Sequence, residues 1–193
     1  MSRETILAAV QAHQGDPVAL PSLPSFPSLP SLLTHFKTAL ELVGGKWAER
    51  RAGDDLAQIA RSHYPDAQRL VSTVNEPPGS TFSIAEDAAP VDLVKVELAI
   101  VRGQFGVAEN AAIWIDDGQL PHRALPFVAE HLVVLLSATD IVTDMHAACG
   151  ALANRRWGYG VFISGPSKTA DIEQALVIGA QGPRSLLVVF DQS

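Results

Sequence analysis

The strongest constraint on this chain is a pair of near-continuous apolar runs in its second half. His131-Leu132-Val133-Val134-Leu135-Leu136 and Ser185-Leu186-Leu187-Val188-Val189-Phe190 carry almost no polar alternation. A strand wet on one face alternates polar and apolar residues; a strand buried on both faces does not. Further apolar stretches at Val96–Val101, Ala111–Ile115 and Gly160–Ser164 read as strands. Helical segments at Asp140–Asn154 and Thr169–Gly179 are expected between the later ones. Strands separated by helices predict an α/β fold with a mainly parallel sheet flanked by helices. Ligand loops are then expected at the carboxyl ends of the strands.

The first half is less regular. Residues 3–13 read as a short helix with Ile6, Leu7 and Val10 on one face. Proline then recurs every third residue across 21–30, which favours a polyproline II connector or a proline-recognised segment. A helix is expected from about Ser31 to Val43, ended by Gly44-Gly45. Another is expected from Asp54, as N-cap, to His63, before Pro65. Leu70–Val74 reads as a strand. The expected organisation is an N-terminal helical segment with its Pro-rich connector (1–45) and an α/β domain (46–193).

Composition narrows the function. The 193 residues are 47% hydrophobic and 18% charged, in keeping with a packed globule. The net charge is −7 with no basic stripe, which argues against nucleic acid as a partner. No segment has the roughly 18 consecutive apolar residues of a membrane span, and no secretory h-region follows Met1-Ser2-Arg3-Glu4. A cytoplasmic protein with no membrane partner is expected. The single cysteine, Cys149, excludes an intrachain disulfide or a thiolate cluster built by this chain alone. It reads as a buried structural thiol. The six histidines show no metal-ligand spacing. No metal ligand and no cofactor of this chain's own is expected.

The segment with most chemical content is Val161-Phe162-Ile163-Ser164-Gly165-Pro166-Ser167-Lys168-Thr169. An apolar strand enters a small polar turn and then an expected helix. Gly165 permits an unusual backbone angle; Ser167 and Thr169 are candidate N-caps. Helix-start amides beside Lys168 would suit a carboxylate or phosphate. The alternative is a capped joint with a solvated lysine. The loop is not a Walker A motif, which requires a glycine directly before the lysine. Gln181 and Arg184 follow in Gly179-Ala180-Gln181-Gly182-Pro183-Arg184, and Arg184 offers a bidentate carboxylate grip or a solvated surface charge. Glu109, in the turn Val107-Ala108-Glu109-Asn110, is the candidate general base, or else a solvated turn residue.

The blocks Ile163–Glu173 and Gly179–Arg184 together resemble the C-terminal signature of the LUD-domain family, lactate-utilisation protein C (LutC) type. The resemblance implies a fold similar to the NagB/RpiA/CoA-transferase group. It also implies a bacterial accessory subunit in oxidation of L-lactate to pyruvate, with iron–sulfur clusters carried only by partner subunits and a small carboxylate or phosphate as ligand. An independent enzyme on sugar phosphates or CoA esters, or a catalytically silent interaction protein, are the other readings. Two stretches depart from the family pattern. Gln181 stands where the family has His, and Asn110-Ala111-Ala112 stands where it has Thr-Gly-Thr. Gln does not titrate near neutrality, so these changes point towards binding or assembly and away from proton transfer.

Overall fold

The computed structural model describes residues 2–15, 18–19, 21, 30–74, 80–85, 88–153, 158–169 and 177–191. In chain order these form α1 (Arg3–Ala12), α2 (Leu32–Leu42), β1 (Lys46–Arg50), α3 (Leu56–His63), β2 (Leu70–Ser72), β3 (Leu98–Arg102), β4 (Phe105–Val107) and β5 (Ala112–Asp116). They continue with α4 (Leu125–Val128), β6 (His131–Ser137), β7 (Ile141–Val142), α5 (Met145–Ala153), β8 (Gly160–Ile163), β9 (Lys168–Thr169), β10 (Val177–Ile178) and β11 (Ser185–Asp191). Most of the proline-rich segment, 22–29, lies outside the described residues.

The central sheet is parallel throughout, in the order β1-β11-β6-β3-β2. The two apolar runs pair in register, Ser185 with His131 and Phe190 with Leu136. Alternate residues of these strands feed two cores, which explains why polar residues are missing from both faces. Leu98, Ile100, Val133, Leu135, Leu187 and Val189 meet Leu56 and Ala60 of α3. On the opposite face Ala99, Val101, Leu132, Val134, Leu136, Val188 and Phe190 meet α2 and a second sheet. α3 starts where Asp55 accepts the amides of Ala57 and Gln58 at 2.8 and 3.3 Å. Ser31 does the same for α2 through the Thr34 amide, at 3.2 Å. α1 buries none of its residues.

The second sheet, β7-β4-β5-β8, is mixed: β7 and β4 run parallel, the other pairs antiparallel. It lies over the central sheet beside α2. Gly106 makes the approach possible, because a Cβ there would sit 2.7 Å from Phe36 Cε2. Phe36 in turn meets Phe190 edge to face, with centroids 5.7 Å apart.

The parallel α/β architecture agrees with the sequence reading, and three local expectations are corrected. The helix predicted over Thr169–Gly179 is not formed by its described residues. Lys168–Thr169 and Val177–Ile178 pair antiparallel instead. Thr169, Val177 and Ile178 are β-branched, and Gly179 at φ +84° turns the chain where a helix would have continued. The helix predicted from Asp140 begins only at Met145, after Ile141–Val142 joins β4. Cys149 is exposed on α5, and its neighbour Ala148 faces the core.

Candidate functional site

Strand direction defines two edges of the central sheet. The amino edge holds the starts of β1, β11, β6, β3 and β2; the carboxyl edge holds their ends. Most residues singled out from the sequence gather towards the amino edge. The Ser167 amide donates to Pro183 O at 2.8 Å, the Gly179 amide to Ser167 O at 3.0 Å, and the Gln181 amide to Ser167 Oγ at 3.3 Å. The two sequence blocks are therefore stitched together. Gly165, at φ +72°, rests on the end of α2, where a Cβ would come within 2.9 Å of Val43 O. Lys168 leans over the same helix end, its Nζ 3.2 Å from the point where a Gly44 Cβ would stand. A cation there complements the carboxyl end of the α2 dipole. The helix start expected to offer amides to an anion is replaced by β9, which also takes in the Thr169 backbone.

Arg184 is engaged. Its Nη1 donates to Glu130 Oε1 at 2.8 Å, and its amide donates to Glu130 O at 2.8 Å. A shallow groove of about 480 Å³ runs past Phe127, Gln181 and this ion pair. The Glu130 carboxylate on its wall opposes an anion.

Glu109 does lie beside the Gly165 turn, since Ser164 Oγ donates to Asn110 O at 2.6 Å. The cause differs from convergence of parallel strand ends. β5 and β8 pair antiparallel, Ile113 with Ile163, which brings the start of one to the end of the other. The Glu109 carboxylate accepts the Met145 amide at 3.1 Å, at the start of α5. Asp144 accepts the Ala147 amide there at 2.8 Å, and that hydrogen bond holds Asp144 below the usual carboxylate range. Glu109 thus works as a helix-start acceptor.

A further amino-edge cluster was not singled out from the sequence. Ser185 Oγ lies 2.8 Å from His131 Nδ1 and donates to Tyr64 Oη at 2.9 Å. The Tyr64 and His131 rings stack with centroids 4.5 Å apart. Burial pushes the Tyr64 phenol up and the His131 imidazole down. The cluster ties the end of α3 to the starts of β6 and β11.

The carboxyl edge is different. Thr73 follows β2, Arg102 ends β3, and these strands are neighbours, Ser72 opposite Ile100. With Val74 and the segment Gly118–Pro121 they line a cavity of about 650 Å³. Thr73 Oγ1 is buried with no hydrogen-bond partner among the described residues. No hydrogen bond or ion pair to the Arg102 guanidinium occurs among the described residues. The nearby carboxylates are occupied. Asp116 accepts the Gly118 amide at 2.9 Å, while Asp117 accepts the Tyr159 amide at 3.1 Å and faces Arg123 at 3.7 Å. Sequence reading missed Thr73 and Arg102. The available signal was an arginine directly after the apolar run 98–101.

The LUD-domain family model matches residues 83–190, more than half of the chain. The chain belongs to the LUD-domain family. The matched region of this LUD domain runs from before β3 to the last core residue of β11. It includes Arg102, Glu109, Lys168 and Arg184, while Thr73 precedes it. Lactate utilization protein C of Bacillus pumilus is 32% identical over 100 residues, 48% of this chain and 42% of that protein. Lactate utilization protein C of Geobacillus kaustophilus is 25% identical over 145 residues, 71% of this chain and 58% of that protein. The chain thus spans roughly half the length of these curated relatives. A DUF162 family protein from Deinococcus radiodurans shares the fold, with TM-score 0.59 and 15% identity over 83% of this chain and 96% of that one. Among the described residues no group of three or more His, Cys, Asp or Glu is placed to hold a metal ion. No described helix is long and apolar enough to cross a membrane.

Proposed function

We propose that this LUD-domain chain is an accessory subunit of an L-lactate oxidation system, binding a small anion while partner proteins carry the electrons. The observation that supports this most is the likeness to proteins named Lactate utilization protein C in two bacilli. Conversion of lactate to pyruvate removes two electrons and two protons. A chain with one cysteine has too few thiolates for an iron–sulfur cluster of its own, so the clusters belong to its partners. One oxygen of the Glu109 carboxylate accepts the Met145 amide, a structural task in keeping with the accessory role. The residues read from sequence at Gly165, Ser167, Lys168, Thr169, Gln181 and Arg184 are the rival seat for that anion, and Lys168→Ala below decides for or against them.

Deletion of the gene in its native host, with L-lactate as sole carbon source, tests the proposal. Growth should fail and return on complementation, and iron–sulfur proteins should co-purify with the tagged chain. Normal growth overturns it. So does turnover of a sugar phosphate or CoA ester by the purified chain at about 1 s⁻¹ or faster, an ordinary enzymatic rate.

A further inference from the structure

We propose a ligand site at the carboxyl edge of the central sheet, where Arg102 anchors the carboxylate of a small hydroxy or oxo acid. The choice of acid rests on the function proposed above; the site rests on its own geometry. Five parallel strands present their carboxyl ends to this edge, the position where open parallel sheets receive ligands. The cavity is the larger of the two described, about 650 Å³ against 480 Å³. Arg102, the one cation among its described lining residues, has five N–H donors and no ion-pair partner among the described residues. Arg184, in the other groove, already holds Glu130.

Thr73 supplies the second observation. A buried hydroxyl without a partner is unusual, because burial strips it of water without return. Rotation about χ1 offers that hydroxyl to a ligand beside Arg102. Gln119, which also lines the cavity, adds an amide that both donates and accepts. One guanidinium, a hydroxyl and an amide match a carboxylate with an adjacent hydroxyl or carbonyl. They do not match a phosphate dianion, which needs more positive charge. Asp116 and Asp117, just behind the Gly118 turn, also oppose a second negative charge. The remaining volume stays open to solvent.

The test is titration of the full chain with L-lactate, pyruvate and inorganic phosphate, followed by calorimetry and ligand-observed NMR. Wild type, Arg102→Ala, Arg102→Lys and Lys168→Ala are compared, with thermal unfolding to confirm that each is folded. One of the two acids should bind. Arg102→Ala should weaken it by roughly tenfold or more, the scale of a lost charge-assisted bidentate contact. Arg102→Lys should recover part of the loss, because a point charge replaces a fork. Lys168→Ala should leave affinity within about twofold, as expected of a residue outside the contact. Phosphate should bind at least about tenfold more weakly than the acid, for want of a second cation. The site is wrong if Arg102→Ala changes nothing, if Lys168→Ala abolishes binding instead, if phosphate is preferred, or if neither acid binds. Arg102-dependent binding alongside normal growth of the deletion strain overturns the proposed function and keeps the site. A growth defect with binding that ignores Arg102 does the reverse.

Discussion

The two edges of one parallel sheet treat their polar side chains in opposite ways. At the amino edge Ser185 satisfies His131 and Tyr64, Arg184 satisfies Glu130, and Ser167 bonds across to Gly179, Gln181 and Pro183. At the carboxyl edge beside β2 and β3, Arg102 and Thr73 Oγ1 border a cavity with no such partners among the described residues. On its far side, at β1 and β11, the carboxyl edge is paired again, Arg50 with Asp191 at 3.8 Å. Saturated polar groups fix strand starts and specify the fold. Unsaturated ones lower stability and persist where a ligand completes them.

The largest expected effect comes from the wall beneath both edges. Phe36 is fully buried between Phe190 and Gly106. Phe36→Ala should cost about 3–5 kcal/mol in urea unfolding, the usual range for a deleted core aromatic. A cost below about 1 kcal/mol would mean that α2 is not part of the cooperative core.

Two hydroxyl deletions set the edges directly against each other. Ser185→Ala should destabilise by about 1–3 kcal/mol, because it leaves His131 and Tyr64 half-buried without their common partner. Thr73→Val should do the opposite and stabilise by about 1 kcal/mol, because the hydroxyl it removes has no partner to lose. The same variant should bind the acid more weakly. Unfolding curves that move both variants in one direction would break the contrast between the edges. Arg184→Ala should cost less than about 1 kcal/mol, since its ion pair is exposed.

Legibility in the sequence follows from burial. β6 and β11 are covered on both faces, so every residue had to be apolar and the runs stood out. α2 was equally visible through Phe36, Ala39 and Leu40 at helical spacing. β1 was not, because Lys46–Arg50 is an edge strand in which Trp47, Glu49 and Arg50 meet polar partners and only Ala48 faces the core. Trp47 Nε1 donates to Glu41 at 2.8 Å, and Glu49 meets Lys37 at 2.6 Å. The hairpin of Lys168–Thr169 and Val177–Ile178 was hidden by cap-like Ser167 and Thr169, whose short-range signals serve turns as well as helices. Glu109 comes beside the Gly165 turn through the antiparallel β5–β8 pair, and a pairing of that kind leaves no trace in local sequence pattern. Arg102 escaped notice because the strand was read as ending at Val101. Its meaning depends on which neighbour lies beside it, and strand order is not written in local pattern.

The smallest expected effect separates the edges by pH. Burial lowers the His131 pKa below its ordinary 6.5; Glu130 pulls it back up and Arg184 adds to the lowering. The unfolded chain therefore binds more protons than the folded one between that depressed value and 6.5. Stability rises with pH wherever the unfolded state holds more protons, so this contribution is complete above 6.5 and is lost as pH falls through the window. His131→Phe keeps a ring against Tyr64 and removes the titration. Urea midpoints measured from about pH 5 to 7, the range in which histidine titrates, should show a shallower slope in the variant than in wild type. At the carboxyl edge nothing comparable should happen. An arginine stays charged, and a small acid is ionised above about pH 5, so acid affinity should remain flat across the same range. An unchanged slope in His131→Phe would remove the imidazole from the amino-edge staple. Acid binding that follows the same titration would move the ligand from Arg102 to the amino edge.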